Sequence, residues 1–125
     1  MAKKVLIIEN DFDIRAIVAT ILEDAGFAAH SIPEPDNVAE ILGYLPDIIL
    51  IDDLINKKPG HRLCLQIKAD VRLTDIPVIV LSTDNDIELI AKACQANDYI
   101  RKPFDLQEMV DKVVRVVNGH SCESL

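Results

Sequence analysis

Three uninterrupted apolar runs punctuate the chain: Val5 to Ile8, Ile48 to Ile51 and Val78 to Leu81. Continuous rather than alternating apolar residues belong to strands covered on both faces, as in a parallel sheet. Helical stripes lie between them. Ile14, Ile17, Val18, Ile21 and Leu22 repeat at three and four residues. So do Val38, Ile41, Leu42 and Leu45, then Ile87, Ile90, Ala91 and Cys94, then Leu106, Met109, Val110, Val113 and Val117. Leu63, Ile67 and Val71 form a thinner stripe. Asp105, with Glu108 three residues on, predicts a helix N-cap at the last of these. Ala28 to Ile32 and Tyr99 to Arg101 are weaker strands. Strand then helix, five times over, predicts one α/β domain with right-handed crossovers over residues 1–118. Residues 119–125 read as a loose tail.

Composition narrows the picture. A chain of 125 residues, half of them hydrophobic, suits one domain with one core. No apolar run reaches membrane-spanning length, and Met1-Ala2-Lys3-Lys4 leads straight into a strand rather than a signal peptide. A formal charge of −8 argues against a nucleic-acid surface, which needs a basic patch. The pair Lys57-Lys58 reads as a solvated loop. Cys64, Cys94 and Cys122 contain no CxxC, and His30, His61 and His120 no HExxH, so neither a zinc site nor a disulfide framework is expected. Reduced thiols fit a cytoplasmic protein.

The chemistry sits where strands end. In "PDIILIDDL", residues 46–54, four apolar residues run into two carboxylates, Asp52 and Asp53. Paired carboxylates cost free energy where water is scarce. The other apolar runs end in polar residues too: Glu9-Asn10-Asp11, Ser82-Thr83-Asp84 and Lys102-Pro103. In open α/β sheets ligands bind outside the carboxyl ends of the strands. Acids, a hydroxyl and an amine therefore converge on one edge. Carboxylate oxygens without His or Cys favour a hard divalent cation such as Mg2+. The hydroxyl and ammonium suit an anion bound beside it, most simply a phosphoryl group.

At this point "KKVLIIENDFDIRAIV", "PDIILIDDL", "IPVIVLS" and "DYIRKPFDL" resemble the receiver domain of two-component response regulators, of the single-domain chemotaxis type. The resemblance runs from Lys3 to about Val117. It implies a flavodoxin-like, doubly wound sheet of five parallel strands in the order 2-1-3-4-5, with five helices. It implies Asp52 as phosphoacceptor, Ser82 bonding the phosphoryl group and Lys102 pairing with it. Mg2+ would be held by Glu9, Asn10, Asp52 and the backbone carbonyl of Leu54, with Asp11 as a further candidate. Ser82 and Tyr99 would form the switch, and Lys102–Pro103 would be cis.

Several positions depart from the family pattern. Asn10 stands where an Asp is general, the loop "INKKPGH" lacks the usual proline at Asn56, Thr83 replaces a small residue, and Gln95 replaces a glycine. The expected function is phosphoryl acceptance on Asp52 from a histidine kinase or phosphotransfer protein. Output would pass to a partner through the last two helices and the strand between them, without direct contact to nucleic acid or membrane. The protein would then be a signalling module and not an enzyme. The chain would be a stand-alone receiver or a piece of a longer regulator. Two alternatives stay open. One is a receiver that signals without phosphorylation, suggested by Asn10. The other is a haloacid-dehalogenase-like phosphatase, although the second acid that chemistry needs is replaced by Leu54. No GxGxxG is present for a dinucleotide.

Overall fold

A computed structural model of the chain describes residues 2–55 and 58–119; for 54–55 and 58–59 only the backbone is described. The five expected strands form one parallel sheet: β1 (Lys4–Ile8), β2 (Ala28–Ile32), β3 (Ile48–Asp52), β6 (Val78–Ser82) and β7 (Asp98–Arg101). Between β3 and the third helix lies an element the hydrophobic pattern does not announce. It is an antiparallel ribbon of two residues a side, β4 (Leu54–Ile55) and β5 (Lys58–Pro59). The sheet order is β2-β1-β3-β6-β7, which for the five long strands alone is the expected 2-1-3-4-5.

The helices are α1 (Phe12–Asp24), α2 (Val38–Leu42), α3 (His61–Ala69), α4 (Ile87–Ala93) and α5 (Leu106–Val117). Their starts are chemically marked. Asp11 caps α1 by accepting from the Ile14 amide, Asn37 caps α2 through Glu40, and Asp105 caps α5 through Gln107 and Glu108. Among the described residues, no helix is long and apolar enough to cross a membrane.

Two apolar layers sandwich the sheet. Leu6, Ile8, Ile49, Ile51, Val78 and Val80 point to one face, where α2, α3 and α4 bring Ile41, Ile67 and Ile87. Val5, Ile7, Ile48, Leu50, Ile79 and Leu81 point to the other, where α1 and α5 bring Leu22, Met109 and Val113. The central strands β3 and β6 are buried at every position, which is why they read as unbroken apolar runs.

Three helical stripes run further than their helices, that of α4 only by its C-cap Cys94. Helix α2 ends at Leu42, because Gly43 caps it and Leu45 turns into the left-handed region at φ 50° with its side chain in solvent. Val71 lies beyond α3, whose C-cap is Asp70, and is exposed. The chain leaving α3 is held by Lys68, whose ammonium donates to the carbonyls of Thr74 and Ile76 and to Asn97. Gln95, in place of a glycine, adopts φ 65°. Cys64 and Cys94 are free and buried, and the Cys64 thiol donates to the Cys94 carbonyl at 3.3 Å. The expectations for Asn56, Lys57, His120, Cys122 and most of the 119–125 tail lie outside the described residues.

Candidate functional site

The strand order reverses between β1 and β3, and the crevice of a doubly wound sheet opens where that happens. Glu9 leaves β1 on one side of it and Asp52 ends β3 on the other. Register levels the remaining tips: Asp52 sits opposite Leu81, and Ser82 opposite Arg101. The amide of Lys102 donates to the Ser82 carbonyl, continuing the β6–β7 ladder by one residue. The next peptide, Lys102–Pro103, is cis, as expected.

The Lys102 ammonium lies in tight contact with Asp52 Oδ1 and 3.6 Å from Glu9 Oε2. Glu9, Asp52 and Ser82 are all buried. Two buried carboxylates thus both lie against the Lys102 ammonium. The strain shows in Glu9, whose carboxyl is held above its ordinary range, first by burial and then by the charge of Asp52. The Asp11 amide, bonded to Glu9 Oε1 at 3.1 Å, and Lys102 oppose that rise without cancelling it.

These donors fit a hard cation. Among the described residues no three His, Cys, Asp or Glu side chains form a ligand cluster by themselves. Mg2+ commonly takes only one or two carboxylates and completes its octahedron with water and substrate oxygens. Glu9 and Asp52 could supply that pair, and a cation between them would offset the burial and the repulsion that raise Glu9. The other expected ligands stand differently. Asn10 is exposed, and its Oδ1 accepts from the Glu34 amide at 3.0 Å, tying it to the loop after β2. One carboxylate oxygen of Asp11 is committed to capping α1. Leu54 opens β4 directly after the site, its side chain outside the described residues.

Asp53 resolves the other half of the carboxylate pair. Its Oδ1 accepts from both the backbone amide and the Nδ1 of His61, at 3.3 and 2.9 Å. It thereby closes the N-terminus of α3, which has no cap of its own at Gly60. Its Oδ2 faces the Ser82 hydroxyl at 3.4 Å, and that hydroxyl also accepts from the Asp84 amide at 3.0 Å. The chain comes back on itself closely here. A Cβ on Gly60 would overlap the Asp52 carbonyl oxygen. The sequence assigns no role to Asp53 or His61, because nothing in a spacing of eight residues announces the return.

Tyr99 is half-buried on the edge strand β7, packed against the layer built by α2, α3 and α4. Lys112 of α5 donates to the Tyr99 carbonyl at 2.6 Å and lies 4.7 Å from its ring centroid, a cation–π contact. Beside it Asp98, fully buried, faces Lys112 at 3.5 Å and Arg115 at 3.7 Å.

Comparison with known proteins places this geometry. Residues 5–114 match the family model of the response regulator receiver domain. The chain is 30% identical over 120 residues to the phosphate regulon transcriptional regulatory protein PhoB of Escherichia coli, covering 94% of this chain and 52% of that protein. It is 32% identical over 113 residues to the DNA-binding dual master transcriptional regulator RpaA of Synechocystis, covering 88% and 47%. It therefore spans about half the length of these relatives. Chemotaxis protein CheY4 of Vibrio cholerae superposes with a TM-score of 0.83 over 93% of this chain and 99% of that one, at 22% identity, a likeness of fold. The chain belongs to the response regulator receiver family, the phosphoacceptor modules of two-component signal transduction.

Proposed function

We propose that Asp52 is the phosphoacceptor of this receiver and that Glu9 and Asp52 bind Mg2+ beside it. The observation that carries the reading is the Lys102 ammonium lodged against Asp52 and within reach of Glu9. In the transfer, an Asp52 carboxylate oxygen attacks phosphorus in line, the bond from phosphorus to the donor's leaving atom breaks (the imidazole nitrogen of a phosphohistidine, or the carboxylate oxygen of acetyl phosphate), and that atom departs with the bonding pair. Mg2+, when bound, would neutralise charge on the incoming group. Lys102 pairs with a phosphoryl oxygen, and the Ser82 hydroxyl donates to another. The donor is a histidine kinase or phosphotransfer protein in the cytoplasm, and the module acts by switching rather than by turnover. Output passes through α4, β7 and α5, where Leu89 and Arg101 are exposed and Lys112 covers Tyr99. Intact mass after incubation with Mg2+ and acetyl phosphate tests the reading. A gain of one phosphoryl group is expected, lost in Asp52→Asn. No gain in the parent, or an unchanged gain in the variant, refutes it.

A second reading has one observation in its favour. Asn10 gives its carbonyl oxygen to the Glu34 amide, so the position where the family general rule places a metal-binding acid is neutral and engaged elsewhere. A receiver that signals by binding alone would show partner binding with no mass gain.

A further inference from the structure

Asp53 serves neither as nucleophile nor as ligand in the phosphoacceptor reading, yet both of its carboxylate oxygens are engaged. One oxygen is fixed by two donors of His61, and its side chain is only 15% exposed. That anchoring leaves Oδ2 aimed at the Ser82 hydroxyl. The hydroxyl has a single proton. While the proton faces Asp53, and the Asp84 amide occupies an oxygen lone pair, Ser82 cannot donate to a phosphoryl oxygen. At 3.4 Å the contact is long for a hydroxyl–carboxylate bond, so it can bias the hydroxyl without locking it.

We propose that Asp53, anchored by His61, is a positioning residue that holds the Ser82 hydroxyl in its unphosphorylated orientation, so that phosphoryl binding must take Ser82 from Asp53. This rests on the reading of Asp52 and Ser82 given above. His61 sets the strength of the hold: it is the first residue of α3, and movement of that helix start carries Asp53 Oδ1 with it. The device thereby ties the switch hydroxyl to the α3 end of the molecule, on the side away from α5.

Beryllofluoride with Mg2+, an inorganic phosphoryl mimic, probes the hold on the intact protein. Its affinity is measured by calorimetry, and the Ser82 environment by the amide resonance of Asp84, whose N–H bonds that hydroxyl. Asp53→Ala is expected to tighten beryllofluoride several-fold and to move the Asp84 amide of the free protein part-way toward its position in the bound parent. His61→Ala keeps the backbone cap of α3 and should move both readouts the same way by less. Asp53→Asn keeps an acceptor for His61 but turns an NH2 donor toward Ser82, so it should free the hydroxyl and move both readouts in the direction of Asp53→Ala. In a Ser82→Ala background, Asp53→Ala should change affinity by less than about twofold. A gain that persists at full size without Ser82 would mean simple charge repulsion and overturns the proposal. So does unchanged or weaker affinity in Asp53→Ala, or an unmoved Asp84 amide. A folded parent that binds no beryllofluoride overturns the phosphoacceptor reading as well; a parent that binds and an Asp53→Ala that behaves identically overturns the hold alone.

Discussion

Two buried acid clusters sit on this sheet, and they differ in arithmetic. At the start of β7 one carboxylate, Asp98, faces two cations, Lys112 and Arg115. At the tips of β1 and β3 two carboxylates, Glu9 and Asp52, lie together against the Lys102 ammonium. The first cluster is compensated from within the chain. The second sets two carboxylates side by side, and Glu9 is held above its ordinary value, first by burial and then by the charge of Asp52. Burying an acid is common enough where cations surround it. Burying two side by side raises one of them, and a cation bound between them would lower it again. The contrast is between one acid flanked by the cations of α5 and two acids flanking each other.

Removing the acid should therefore have opposite consequences at the two places. The largest effect is expected at Asp98. Asp98→Ala leaves Lys112 and Arg115 crowded together without their anion and should cost about 1–3 kcal/mol in urea unfolding, with Mg2+ affinity unchanged. A neutral result would mean that the two cations are already satisfied by water and by the Tyr99 carbonyl.

At the crevice the sign reverses. A carboxyl whose folded pKa lies above its unfolded value favours folding when protonated. Stability is lost as pH rises from the unfolded value of about 4.5 through the raised folded one. Glu9→Gln should accordingly raise the melting temperature of the metal-free protein at neutral pH and flatten its rise in stability on mild acidification. The same change removes a ligand charge and should weaken Mg2+. A unit charge near the ion is worth on the order of 1–4 kcal/mol at an effective dielectric near 20. A Glu9→Gln protein that is less stable without metal and binds Mg2+ as tightly would erase the distinction between the clusters.

A smaller effect should follow Asn10→Asp. The side chain is tied to the Glu34 amide, so an added charge acts on the crevice through space while keeping that bond. Mg2+ should tighten by several-fold, about 1 kcal/mol. A much larger gain would show the carboxylate abandoning Glu34 to enter the coordination sphere. The smallest expected effect is at Gln95, remote from both clusters. Gln95→Gly relieves a left-handed backbone at φ 65° and should stabilise by about 1 kcal/mol or less, the relief being offset by the greater freedom of glycine when unfolded. Any change it makes in Mg2+ binding would mean that the turn after α4 is coupled to the crevice.

The sequence carried the fold well because both faces of β3 and β6 are covered. Continuous runs such as Ile48 to Ile51 have no other easy reading, and the helix starts at Asp11 and Asp105 carry their own caps. It misled at α2 and α3, where Leu45 and Val71 continue a helical spacing that the backbone has already left. Hydrophobic period cannot register Leu45 crossing into positive φ. At the site, Glu9, Asp52, Ser82 and Lys102 were legible because each ends an apolar run and the topology gathers run ends. Asp53 with His61, Asn10 with Glu34 and Asp98 with Lys112 were not. Those pairings depend on where loops and a helix return in space, and the spacings of 8, 24 and 14 residues between them carry no local signal.

Gly60 has a consequence for what moves. Its amide bonds the Asp53 carbonyl, and its missing side chain lets the chain press on the Asp52 carbonyl. The peptide on the carboxyl side of Asp52 is clamped on one side by this return and on the other by the Asp53 amide bonded to Leu81. The Asp52 carboxylate therefore stands on a fixed mount. Like the anvil of a micrometer, it gives the other parts a reference from which their travel is measured: Ser82 and the helices behind that residue must come to it, while Lys102 is already there. Signals leaving this site should be recorded as displacements of β6, β7 and α3 relative to a stationary residue 52.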